Sequence, residues 1–174
     1  MRELTDPDKI HEFMRALGKR ARHRSKIYFT GGTTAVLFGW RNTTVDIDLR
    51  FDPEFDELYR ALPLLKEQLG INLELASPSD FIPSVPGWED RSKFIRSEGL
   101  LDFFHYDPYS QALAKIERGH DQDVKDVDEM LKRGLIERQK LLSLFQEIEP
   151  QLYRYPAIDP ASFRRAVKQV VDQA

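Results

Sequence analysis

Residues Phe29 to Leu49 read FTGGTTAVLFGWRNTTVDIDL. The stretch opens at the end of KIYFT, Lys26 to Thr30, an aromatic and β-branched run with the make-up of a strand. Gly31-Gly32 ends that run. Thr33 to Phe38 then has the length of a short helix, and Gly39 to Thr44 that of a loop. From Val45 to Phe51 the sequence alternates strictly. Val45, Ile47, Leu49 and Phe51 point one way, and Asp46, Asp48 and Arg50 the other, which defines a half-buried strand. Strand, glycine turn, short helix and acidic strand in close succession specify an α/β protein.

Upstream of this stretch, Asp6-Pro7 has the form of an N-cap followed by the first helical residue. Ile10, Phe13, Met14, Leu17 and Ala21 follow at helical spacing. Arg15, Lys19, Arg20, Arg22, Arg24 and Lys26 form a basic run with no acid between them. It suits a helix C-terminus, and equally a patch that tracks nucleic-acid phosphates. On the other side, Phe55, Leu58, Leu62, Leu65 and Leu69 predict a helix over 54–69, with Pro63 as a kink. Ile71 to Leu75 alternates again, with Asn72 and Glu74 on the polar side. Residues 76–92 hold three prolines and a glycine and predict an irregular loop, a candidate lid. Phe94-Ile95 and Leu100 to His105 pair as a hairpin around Ser97 to Gly99. Helices are expected near 108–118, 121–133, 137–148 and 159–172, the last opened by Asp159-Pro160. The chain thus divides into an α/β core over 1–106, a small mixed sheet flanked by helices, and a helical part over 107–174 that packs over the core.

Composition narrows the chemistry. The 174 residues include no cysteine, which removes disulfide scaffolds, thiolate zinc sites, iron–sulfur clusters and cysteine nucleophiles. No apolar run approaches the roughly 18–20 residues of a membrane span. MRELTDPDKIHEF is charged and lacks a signal-peptide core, so a soluble cytoplasmic protein is expected. The formal net charge is −3, a weak argument against a generic nucleic-acid binder.

The chemistry-bearing residues lie in and just beyond the opening stretch. Two glycines after a strand let backbone N–H groups approach a ligand closely, and a helix starting at Thr33 adds partial positive charge suited to phosphate. Asp46 and Asp48, two apart on a strand, share a face with their Cα atoms roughly 6.5–7 Å apart. Such a pair is unfavourable unless a cation sits between the carboxylates, and oxygen ligands in this arrangement suit Mg²⁺ or Mn²⁺. Glu74 offers a third carboxylate, able to bind a second ion or take a proton from an incoming hydroxyl. Arg41 could clamp phosphate bidentately. Thr43 and Thr44 suit backbone hydrogen bonds that end the loop. Arg91 and Lys93 read as surface charge. His120-Asp121 has the letters of a phosphohydrolase pair, but no second suitable histidine follows, and Asp121 fits a helix N-cap better.

Phe29 to Leu49 resembles the opening of the nucleotidyltransferase superfamily, the DNA polymerase β-like fold. Its mark is a Gly-Gly or Gly-Ser turn, a helix, and two acids alternating with apolar residues on the next strand. The form with GGT, an arginine and DIDL is similar to bacterial nucleotidyltransferases grouped with AbiEii-type toxins. Aminoglycoside and lincosamide nucleotidyltransferases share a related opening. Tyr109 to Gly134 (YSQALAKIERGHDQDVKDVDEMLKRG) resembles the helical stretch of the toxin-like group. Two departures stand out: Thr33 follows the glycine pair where many members carry Ser in the turn, and Glu74 replaces the common Asp.

The resemblance implies a metal-dependent enzyme that moves an NMP from an NTP such as ATP to an acceptor hydroxyl and releases pyrophosphate. Gly31, Gly32, Thr33 and Arg41 would bind nucleotide. Asp46, Asp48 and Glu74 would be catalytic and hold Mg²⁺ or Mn²⁺. Lys115 would contact phosphate, Asp123 would support it, and Asp126 would be structural. The acceptor would be RNA such as tRNA, or a protein, with an antitoxin as partner. Two bound divalent ions would turn the formal −3 into +1. An aminoglycoside-like small-molecule acceptor, or a non-catalytic nucleotide-binding module of the same fold, are the alternatives.

Overall fold

The computed structural model describes residues 3–173. The chain divides into two compact units, Met1–Ser77 with Ser92–His105, and Pro78–Arg91 with Tyr106–Ala174.

The first unit is built on a five-stranded mixed sheet. Its strands are β1 (Ser25–Thr30), β2 (Asp46–Asp52), β3 (Asn72–Leu75), β4 (Lys93–Glu98) and β5 (Leu101–His105), in spatial order β3-β2-β1-β5-β4. β1 runs antiparallel to β2 and parallel to β5; β2 runs parallel to β3; β4 and β5 form the expected hairpin. Three helices complete the unit: α1 (Pro7–Arg20), α2 (Gly32–Phe38) and α3 (Asp56–Leu69). Asp6 caps α1 by accepting from the Lys9 N–H at 2.9 Å, with Pro7 in the first turn. Ile10, Phe13, Met14 and Leu17 of α1 and Leu58 and Leu65 of α3 pack with Ile27, Phe29, Ile47 and Leu49 of the sheet. Alternation in β1 and β2 therefore sends one set of side chains into this core and leaves the other on the opposite face. Gly18 of α1 meets the β4–β5 turn so closely that a Cβ there would lie 2.6 Å from the Glu98 carbonyl oxygen. Pro63 lies inside α3 and the helix runs through it.

The second unit is helical: α4 (Trp88–Arg91), α5 (Pro108–Arg118), α6 (Asp121–Lys132), α7 (Arg138–Ile148) and α8 (Pro160–Asp172), with short 3-10 turns at Pro78–Asp80 and Glu149–Arg154. Residues 78–91, expected as irregular loop, contain one of these turns and α4, and group with the helices. Trp88 stacks on Tyr106 with ring centroids 4.5 Å apart and planes 2° from parallel. Arg91, expected as surface charge, instead donates from Nη2 to Asp107 Oδ2 at 2.8 Å. Asp107 also caps α5, accepting from the Tyr109 and Ser110 N–H groups at 3.0 and 3.2 Å. At α6 the N-cap is His120, one residue earlier than expected. The Asp123 carboxylate reaches back to its N–H at 3.2 Å, so Asp121 is the first helical residue.

Candidate functional site

β1 delivers the chain to Gly31, which has φ +66° and ψ −135°, a conformation that costs a side chain dearly. Space gives a second reason for glycine. A Cβ on Gly31 would lie 2.8 Å from Asp48 Oδ2. One on Gly32 would lie 2.2 Å from Thr44 Oγ1 and 3.1 Å from Arg41 Nη1. The glycine pair is thus pressed against the acidic strand and the loop arginine.

The loop after α2 explains how Arg41 gets there. Gly39 takes φ +93° and closes the helix, its N–H donating to the Ala35 and Val36 carbonyls. The Trp40 and Arg41 N–H groups also donate to Ala35 O, at 3.1 and 3.3 Å, folding the loop back along α2. Thr44 bridges to Thr5 through two backbone hydrogen bonds of 2.8 and 2.9 Å, and its Oγ1 donates to the Asp46 carbonyl at 3.0 Å. Thr44 is a loop terminator, as its sequence position suggests.

Asp46 and Asp48 alternate with the fully buried Ile47 and Leu49 and stay partly exposed on the face away from the core. Register places Thr30 beside Asp48 on one side and Glu74 beside it on the other. Asp48 and Glu74 are direct neighbours on parallel strands, so their backbones lie about 4.8 Å apart. The three carboxylates share one face of adjacent strands, with Glu74 the most exposed. Among the described residues, no three His, Asp or Glu side chains form a ready-made metal cage.

Thr33, read from the resemblance as a nucleotide-binding residue, is fully buried. Its Oγ1 has no hydrogen-bond partner among the described residues. Thr34 is also buried and shares a 3.1 Å hydrogen bond with His105 Nδ1. His105 ends β5 and packs on Phe38 with ring centroids 4.5 Å apart. Burial, and then the nearby Lys93 cation, push its pKa down to about 4, so the imidazole is neutral at physiological pH. Sequence assigns His105 no part in this site. Its only signal is a histidine closing an alternating strand, which does not show that the strand lies beside β1.

Lys115, Asp123 and Asp126 belong to the second unit. Lys115 is buried, donating from Nζ to Asp126 Oδ2 at 2.8 Å and lying 3.7 Å from Asp123 Oδ1. Asp123 also accepts from Arg118 Nε at 2.7 Å. Burial alone would raise the Asp123 carboxyl, but Arg118 and then Lys115 hold it below its usual range. Gln122 Nε2 donates to the other Asp126 oxygen at 3.1 Å. The buried Lys115, Asp123 and Asp126 are balanced by the exposed Arg118, giving two cations and two anions, which offsets the cost of burying charge. Lys115 and Asp123 also border a cavity of about 490 Å³ between α5, α6 and α8, walled by Val124, Val127, Leu131 and Val170.

A glycine-pair turn after the first strand, a short helix, and alternating aspartates on an adjacent antiparallel strand define a protein of the nucleotidyltransferase superfamily, with an α+β fold. The chain belongs to a family described as "Nucleotidyltransferase of unknown function (DUF6036)", whose model matches residues 8–170. That match does not extend to the narrower likeness to AbiEii-type toxins. No match was found among curated proteins or among solved structures. Among the described residues, no helix is long and apolar enough to cross a membrane.

Proposed function

We propose that this protein is a divalent-cation-dependent enzyme that transfers a nucleoside monophosphate from an NTP to an acceptor hydroxyl. The observation behind it is the close packing of Gly31 against Asp48 and of Gly32 against Thr44 and Arg41, which sets the glycine turn directly beside the acidic strand and the loop arginine. Backbone N–H groups of the turn and the Arg41 guanidinium hold the triphosphate.

The donor set fits Mg²⁺ or Mn²⁺. Mg²⁺ is commonly held by one or two carboxylates, with water and substrate phosphates filling its remaining positions, so Asp46 and Asp48 suffice without a closed protein cage. A bound divalent ion supplies charge neutralisation on the triphosphate and acidifies the acceptor hydroxyl. Glu74, next to Asp48, accepts the acceptor's proton. The acceptor oxygen attacks the α-phosphorus in line, a new P–O bond forms, and pyrophosphate leaves with the electrons of the broken bond. The protein's contribution is positioning and charge.

The toxin-like resemblance favours RNA such as tRNA, or a protein, as acceptor, with an antitoxin as partner, and NTP use favours the cytoplasm. The test is incubation with each α-³²P-labelled NTP, Mg²⁺ and cellular RNA or protein. Label should pass to one class of acceptor and should not pass with Asp46→Asn or Asp48→Asn. Magnesium-dependent NTP binding without transfer to any acceptor would instead support a non-catalytic binding module.

A further inference from the structure

On the face that carries the carboxylates, register aligns a second row one step along the strands. Tyr28 pairs with Arg50 on β2 and with Phe104 on β5, and Phe104 pairs with Phe94 on β4. Phe94, Phe104, Tyr28 and Arg50 therefore run across four adjacent strands. The neighbouring row, Thr30, Asp48 and Glu74, lies about 7 Å away along the strand direction.

The rings of this row touch. Tyr28 stacks on Phe104 at 5.4 Å between centroids, and Phe94 meets Phe104 edge-on at 5.6 Å. The Lys26 ammonium lies 5.7 Å from the Phe104 centroid. Exposure rises outward: Tyr28 is buried, Phe104 half-buried, and Phe94 is 59% exposed. An open aromatic edge with a cation beside it binds planar π-systems in a sequence-tolerant way, because every nucleobase has a π-face.

From Asp48 to Phe104 is two strand spacings across and one row along, about 12 Å between Cα atoms, and Phe94, one strand further out, lies about 16 Å away. With several ångströms of side chain at each end, that span is commensurate with the reach from a nucleotide's phosphate to its base. We propose that the Phe94–Phe104 edge, with Lys26, is the subsite on which the base of the incoming NTP stacks. The proposal rests on the nucleotidyltransferase reading and adds to it where the nucleoside lies. It also implies weak discrimination among bases, since Phe94 and Phe104 themselves offer only ring surfaces to a stacked base.

The test is calorimetric titration of the full chain with ATP, GTP, CTP and UTP, and with inorganic tripolyphosphate, all with Mg²⁺. Phe94→Ala should weaken binding of all four nucleotides by about tenfold or more, while tripolyphosphate binds as before. Phe94→Trp should restore nucleotide affinity. Phe94 is exposed, so circular dichroism and thermal unfolding of the variant should match the parent. If Phe94→Ala leaves nucleotide affinity unchanged while Asp48→Asn abolishes it, this subsite is wrong and the nucleotidyltransferase reading stands. An equal loss for nucleotides and tripolyphosphate would also overturn it. Failure of the parent protein to bind either class would remove both readings together.

Discussion

Gly31 concentrates two constraints in one residue: a positive φ with an extended ψ, and a Cβ position 2.8 Å from a carboxylate oxygen. Gly31→Ala should therefore lose about 1–3 kcal/mol of stability from backbone strain, measurable by urea unfolding, and should weaken NTP binding further by displacing Asp48. His105 makes stability depend on pH. Its folded pKa of about 4 lies below its ordinary value of 6.5. Between these values the unfolded chain binds a proton that the folded chain does not. Stability is thus fully present above pH 6.5, is lost as pH falls towards 4, and then levels off. The two and a half pKa units correspond to about 3 kcal/mol. His105→Gln should remove that part of the pH dependence in unfolding curves taken between pH 4 and 7. The glycine pair and both aspartates are legible in the sequence because a turn and a period-2 strand impose local rules. Thr33 is harder to read: whether it or its neighbours face a ligand depends on how α2 packs, and it is fully buried.

At the scale of elements, β2 is the most legible because one face meets a core and the other does not. Segment 78–91 is opaque for the converse reason. Its prolines announce irregular backbone, while the residues that order it, Trp88 and Arg91, find their partners at Tyr106 and Asp107, beyond the β4–β5 hairpin in sequence. Asp107 is fully buried, so Arg91→Met would leave a carboxylate without this cation. A loss of about 3 kcal/mol is expected from breaking such a pair, read from chemical denaturation, together with a changed Trp88 emission as the segment loosens. The α6 start shows a smaller limit. Sequence puts Asp121 at the cap, because Asp is a preferred N-cap residue and His is not; only the backbone shows that His120 is the cap and Asp123 the residue reaching back to it.

For the whole molecule, charge has two organisations that composition averages away. In the first unit, Asp46, Asp48 and Glu74 gather on one face of adjacent strands. In the second, Lys115, Arg118, Asp123 and Asp126 cancel one another inside a helical unit. The family resemblance implies a phosphate contact for Lys115 and a structural Asp126, but a helical lysine carries no local mark that it is buried with its ammonium on Asp126. Lys115→Met should destabilise the protein by about 3–5 kcal/mol, and adding Asp126→Leu should recover part of that loss, as equilibrium unfolding of the two variants would show. We propose that the glycine turn and Asp46–Asp48 form one cation-dependent nucleotide site. Its most direct test is NTP titration with and without Mg²⁺ on the parent protein and on Asp46→Asn and Asp48→Asn. Binding that needs Mg²⁺ and disappears in both variants, with thermal unfolding unchanged, is the predicted result. Binding that persists without Mg²⁺ and survives both substitutions would contradict it.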